Sequence, residues 1–83
     1  MGKEIEKIKD IIAESLVVDL DEITMDAGFV DDLGADSLGV IATLMDVEEA
    51  FDIEVSDKEA EGIVTVADLV RIVGSKIVRT GNE

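Results

Sequence analysis

Apolar residues recur at three- and four-residue steps in three separate stretches of this chain. That spacing lines one face of an α-helix, whereas a half-buried strand alternates every second residue. In the first stretch, from about Lys3 to Val17, Ile5, Ile8, Ile11, Ile12 and Leu16 share a face. Lys3, Glu6, Lys7, Lys9, Asp10 and Glu14 fall mostly opposite. In the second, Ser37 to Phe51, two apolar faces exist. Val40, Leu44, Val47 and Phe51 form one, and Leu38, Ile41, Ala42 and Met45 form the other. A helix apolar on more than one side is either nearly buried or carries a patch for a partner. The third stretch opens at Thr65 and runs to about Val78, with Val66, Leu69, Val70, Val73 and Ile77 facing inward. Its β-branched residues would suit a strand, but their spacing is helical.

Capping residues mark where these segments begin. Asp36 is suited to N-cap the second helix, since its carboxylate accepts first-turn N–H groups and favours the positive end of the helix dipole. Ser56-Asp57-Lys58-Glu59 reads as a capping box opening a short helix that Gly62 can terminate. Thr65-Val66-Ala67-Asp68 is a similar start signal. Val18 to Asp36 has acidic residues, Gly28 and Gly34, and no sustained period, which predicts a long loop. Within it Leu20 to Ile23 suits a helical turn, and Phe29 and Leu33 suit plugs into the core. Thr80 to Glu83 is expected to fray. The expected architecture is all-α: a small four-helix bundle of three long helices and one short, with a long loop between helices one and two. An 83-residue chain that is 47% apolar has enough for one core, so residues 1–83 read as one domain.

Charge narrows the function. The chain has 21 Asp and Glu against 7 Lys and Arg, a net charge of −14. From Asp10 to Asp57 there are fifteen acidic residues and no basic one. Nucleic acid and anionic membrane surfaces are repelled by such a face. Its natural partners are proteins with basic docking patches. No run approaches the roughly 20 apolar residues that cross a bilayer, and the charged segment from Met1 to Asp10 does not resemble a signal peptide. The expectations are a cytoplasmic chain without membrane insertion, monomeric through charge repulsion. Acidic clusters around Asp31, Asp46 and Asp52 lack the alternating ligands and closing Glu of an EF-hand, so no metal site is expected.

Ser37 is the residue whose chemistry demands an explanation. Gly34-Ala35-Asp36-Ser37-Leu38 is close to the Gly-Asp-Ser-Leu signature of some esterases, with an extra Ala. A nucleophilic serine needs a general base, commonly histidine, and the chain contains no His and no Cys. It is not expected to be an enzyme. At the start of a helix, however, backbone N–H groups and the helix dipole favour a phosphate attached to the serine oxygen.

The register around Ser37 resembles the acyl carrier proteins. The likeness is carried by Phe29-Val30-Asp31-Asp32-Leu33-Gly34-Ala35-Asp36-Ser37-Leu38 and by Met45 to Val55. Asp57-Lys58-Glu59-Ala60-Glu61 and the Thr65-Val66 start of the last helix extend it to about Val78. The resemblance implies that a carrier protein synthase (a phosphopantetheinyl transferase) modifies Ser37, using coenzyme A as donor. Asp36 and Leu38 flank the resulting 4′-phosphopantetheine. The arm would supply the thiol that a chain without cysteine lacks, and would carry acyl chains as thioesters. The partners so implied are acyl-transferring and chain-elongating enzymes of fatty acid, other lipid or polyketide synthesis. Leu38, Ile41 and Met45 would form the apolar centre of the docking face, with Asp36, Glu48 and Glu49 as its acidic surround. The alternative is an interaction module that keeps this fold without the prosthetic group. Many family members are acidic where this chain has Gly39 and Ala42, which suggests a dedicated carrier with restricted partners. Gly39 inside a helix also costs about 0.5–1 kcal/mol relative to Ala, so loosening of the first turns is expected.

Overall fold

The computed structural model describes residues 2–81. It contains α1 (Gly2–Leu16), α2 (Ser37–Phe51), α3 (Asp57–Glu61) and α4 (Val66–Gly81), with a 3-10 turn at Leu20–Glu22. The architecture is the expected all-helical one. No strand occurs among the described residues, although Gly28 and Thr65 form an isolated antiparallel bridge.

The core collects the predicted faces. Ile8 and Ile12 of α1, Leu44 and Val47 of α2, and Val66, Leu69, Val70 and Val73 of α4 are buried. Phe51 and Ile77 are half-buried at the edge of this cluster. Helices α1 and α2 run antiparallel, as two cross-contacts show. The Lys7 ammonium lies 5.7 Å from the Phe51 ring centroid at one end. Near the other end Ser15 and Thr43 are joined by a hydrogen bond of 2.9 Å. Thr43 Oγ1 also lies 2.9 Å from the Gly39 carbonyl. A hydroxyl has one proton and a carbonyl has none, so Thr43 donates to Gly39 O and Ser15 donates to Thr43. This satisfies the one buried polar residue of the core, Thr43.

The long loop is ordered because it completes α4. The first N–H groups of a helix have no partner within it. Here Val66 N–H donates to Ala27 O and Ala67 N–H to Met25 O, both at 3.0 Å, while Phe29 N–H donates to Val64 O at 3.0 Å. Thr65 Oγ1 accepts from Asp68 N–H at 3.3 Å. The loop folds on itself as well: Gly28 O accepts from Asp32 and Leu33 N–H, and Asp32 Oδ2 accepts from Gly28 N–H at 2.7 Å. Gly34, with φ of 73°, turns the chain toward α2. Phe29 and Leu33 are buried, as are Ile23 and Ala27.

The helix ends carry backbone features that spacing and caps did not predict. Helix α1 stops at Leu16 because Val17 is left-handed, with φ of 56°. That conformation costs a residue with a Cβ about 1–2 kcal/mol and is a true outlier for a β-branched one. A hydrogen bond of 3.1 Å from Val18 N–H to Ala13 O closes the turn. Helix α2 ends at Phe51, as expected, and its C-cap Asp52 is also left-handed, with φ of 56°. Gly62 does end α3, but in the right-handed region, so its glycine freedom is not used. Helix α4 reaches Gly81, which replaces the expected fraying at Thr80 and Gly81 with continued helix; Asn82 and Glu83 lie outside the described residues.

The short helix α3 is held by charge and capping. Ser56 Oγ accepts from Glu59 N–H and Glu59 accepts from Ser56 N–H. Glu59 also pairs with Lys76 of α4 at 3.2 Å. The Ser56 N–H first, then the Lys76 ammonium, hold the Glu59 carboxyl below its ordinary range. Asp68 does the same service at the start of α4: its Oδ2 accepts from Val64 and Thr65 N–H at 2.9 and 3.0 Å. The Thr65 and then the Val64 N–H hold its carboxyl below the usual value. A carboxyl depressed in the folded state stabilises the fold above its unfolded value, about 3.9, and loses that contribution as pH falls through the folded value. Asp68→Asn is therefore expected to lower Tm at pH 7, with a deficit that shrinks below about pH 4. Melting curves of both proteins from pH 7 to pH 2 check this; a pH-independent deficit would contradict it.

Candidate functional site

Ser37 is the first residue of α2 and is exposed. The loop delivers it there through three fixed points. Ala35 is buried and donates its N–H to Phe29 O at 2.8 Å. Asp36 is extended and is the N-cap, its Oδ1 accepting from Gly39 N–H at 2.8 Å. With Gly39's N–H taken, those of Ser37 and Leu38 remain without a helix carbonyl, the pattern that suits an anion.

Beside Ser37 opens a groove of about 440 Å³ between α2 and α3. Ser37, Val40, Ile41 and Leu44 line it from α2; Asp57, Ala60 and Glu61 line it from α3. Its volume lies within the roughly 300–1,000 Å³ of ligand sites. The α3 wall was missed by sequence reasoning, which treated Asp57 to Glu61 only as a helix start. The signal was available: positions 57, 60 and 61 share one helical face. Val40 and Leu44, read as core alone, also form the groove floor.

The other serines occupy different settings. Ser15 is half-buried against Thr43. Ser56 is committed to capping α3. Ser75 lies on α4, outside the groove lining. Only Ser37 combines exposure, a helix start of full length and an adjoining apolar groove.

The outer face of α2 is apolar in the water-facing direction. Leu38, Ile41 and Met45 are 75%, 51% and 62% exposed. Glu49 is exposed, as is Asp46, which the sequence reading weighed only as part of an acidic cluster and not as part of this face. Glu48 is half-buried, and its Oε2 accepts from Val55 N–H at 2.7 Å, so it also ties down the segment leading to α3. Among the described residues no group of three or more His, Cys, Asp or Glu is placed to hold a metal, and no helix is long and apolar enough to cross a membrane.

Gly39, whose propensity cost led to an expectation of loosened first turns, sits in a close fit at the start of α2. A Cβ on Gly39 would meet Leu16 Cδ2 at 3.3 Å, Asp36 Oδ1 at 3.4 Å and Ala35 Cβ at 3.5 Å. The missing side chain lets α1 and the loop close onto the start of α2.

Comparison with known proteins agrees with this geometry. A family model described as a phosphopantetheine attachment site matches residues 6–73. An acyl carrier protein of Clostridium acetobutylicum is 52% identical over 68 residues, covering 82% of this chain and 88% of the relative. The fold matches that of a Mycobacterium tuberculosis protein described as an acyl carrier protein, with a TM-score of 0.82 and 36% identity over 87% of this chain and 96% of that one. It also matches an acyl carrier protein from Enterococcus faecalis, with a TM-score of 0.74 and 32% identity over 89% and 94%. The chain belongs to the acyl carrier protein family, carriers rather than enzymes, whose members bear a covalent 4′-phosphopantetheine.

Proposed function

We propose that Ser37 is the attachment point of the 4′-phosphopantetheine arm, and that the α2–α3 groove shelters the acyl chain the arm carries. The observation that carries this reading is an exposed serine at the head of a full-length helix, bordering an apolar groove. The hydroxyl would become one ester oxygen of a phosphodiester, next to the open N–H groups of Ser37 and Leu38 and the positive end of the helix dipole. Asp36 holds the turn through Gly39 N–H. The bound group supplies the thiol for thioester formation. The residues of the chain position the hydroxyl, offer Val40, Ile41 and Leu44 to a lipophilic chain, and present Leu38, Ile41 and Met45 with Glu48 and Glu49 to basic enzymes.

The reactions served are those of fatty acid synthesis or of a related lipid or polyketide pathway. Gly39 and Ala42 remove negative charge beside Ser37, which supports a dedicated carrier with few partners. Gly39→Asp with Ala42→Glu is expected to change loading rate and partner preference; identical rates with general and dedicated enzymes would contradict the specialisation. Because Gly39 is packed against Leu16, Ala42→Glu alone serves as the variant free of that contact, Ala42 being exposed.

The chain has no cysteine, so its thiol content tests the main reading simply. After incubation with coenzyme A and a carrier protein synthase, then removal of small molecules, one titratable thiol per chain is expected. A thiol content that stays at zero contradicts it.

A further inference from the structure

We infer that Val17, with its neighbour Leu20, is a recognition element for the carrier protein synthase that loads Ser37. The inference rests on Ser37 being the loading site. Val17 combines two properties that a structural residue does not need together. It is β-branched in a left-handed conformation, φ of 56°, where glycine would sit without strain. It is also 87% exposed, more than any other large apolar side chain described. Its side chain therefore adds almost nothing to the core while its backbone is strained. Strain of this kind persists where surroundings enforce it and gathers at functional positions.

The position of Val17 points to the partner. Leu16 reaches with Cδ2 to within 3.3 Å of where a Gly39 Cβ would lie. Val17 follows Leu16, and Gly39 follows Ser37 by two residues, so the end of α1 sits beside the start of α2. An enzyme acting on the Ser37 hydroxyl must cover that start. A protein interface of ordinary size, about 800 Å² on each partner, extends past the first turn of α2 onto its neighbours. Leu20 is 52% exposed in the 3-10 turn, and Leu38 is 75% exposed next to Gly39. Exposed Glu14, Asp19, Asp21 and Glu22 surround Val17 and Leu20 in the chain. Exposed apolar side chains within an acidic stretch of chain are complementary to an apolar patch ringed by Lys and Arg.

The strain gives the test opposite signs in its two readouts. Val17→Gly and Val17→Asn both accept the left-handed backbone and remove the apolar contact, whereas Val17→Ile keeps the contact and the strain. Steady-state loading of each chain by a carrier protein synthase with coenzyme A is measured alongside Tm. Val17→Gly is expected to raise Tm by about 4–8 °C, the shift that relief of roughly 1 kcal/mol gives a domain of this size. Both Val17→Gly and Val17→Asn are expected to raise KM for the chain by about 5–10-fold with kcat unchanged, the loss of a modest interface contact. Val17→Ile is expected to load like the wild type. A KM unchanged in the Gly and Asn variants, or a Tm lowered in Val17→Gly, would overturn the inference. A wild-type chain that never gains a thiol would instead overturn the Ser37 reading on which it stands.

Discussion

Ser37→Ala is expected to abolish loading while leaving the fold intact. The variant incubated with coenzyme A and synthase should gain no thiol and no mass, against one arm per chain for the wild type. Stability should change by less than about 0.5 kcal/mol, because the residue is exposed and the N-cap is Asp36 rather than Ser37. Those two readouts together separate a lost acceptor from a lost structure. Retention of the arm in Ser37→Ala would remove Ser37 from its assigned role. The result should not depend on salt, since it reflects a missing oxygen rather than weakened docking.

Phe29→Ala is expected to have the largest effect on stability. Phe29 is the largest fully buried side chain. Truncating such a residue costs about 3–5 kcal/mol, from lost transfer energy and the cavity left behind. A chain of this length has a total stability of only about 4–12 kcal/mol. The variant should therefore sit at the edge of unfolding at 25 °C. The consequence reaches the site. Phe29 O accepts from Ala35 N–H and Phe29 N–H donates to Val64 O, so its packing fixes both the approach to Ser37 and the start of α4. Denaturant titration followed by circular dichroism measures the loss. A decrease under about 1 kcal/mol would mean that the loop, not the side chain, holds this corner.

The helices were legible because period and caps agree. Ile8 and Ile12, Leu44 and Val47, and Leu69 and Val73 occupy the buried positions their spacing assigns, and Ser56 with Glu59 forms the reciprocal capping pair its motif implies. The long loop was legible as a loop but not in its purpose. Its bonds to α4 run from backbone to backbone, Val66 to Ala27 and Ala67 to Met25, and such pairings leave no side-chain signature. The left-handed ends at Val17 and Asp52 were illegible for a related reason: the usual marker is glycine, and neither position has one. Gly39 was legible only for its propensity cost; that Leu16 Cδ2 would lie 3.3 Å from a Cβ at this position is a tertiary contact no local rule shows. At the site, Ser37 and its N-cap could be read from residues in one stretch. The groove could not, because its second wall comes from Asp57, Ala60 and Glu61, and only the folded chain brings that wall to α2.

The most direct measurement is a fragment-ion mass spectrum of the loaded wild-type chain. The four serines, Ser15, Ser37, Ser56 and Ser75, compete for one arm. The geometry predicts the full added mass on Ser37 and none on the other three. An arm found on Ser15, Ser56, Ser75 or a threonine would contradict the account.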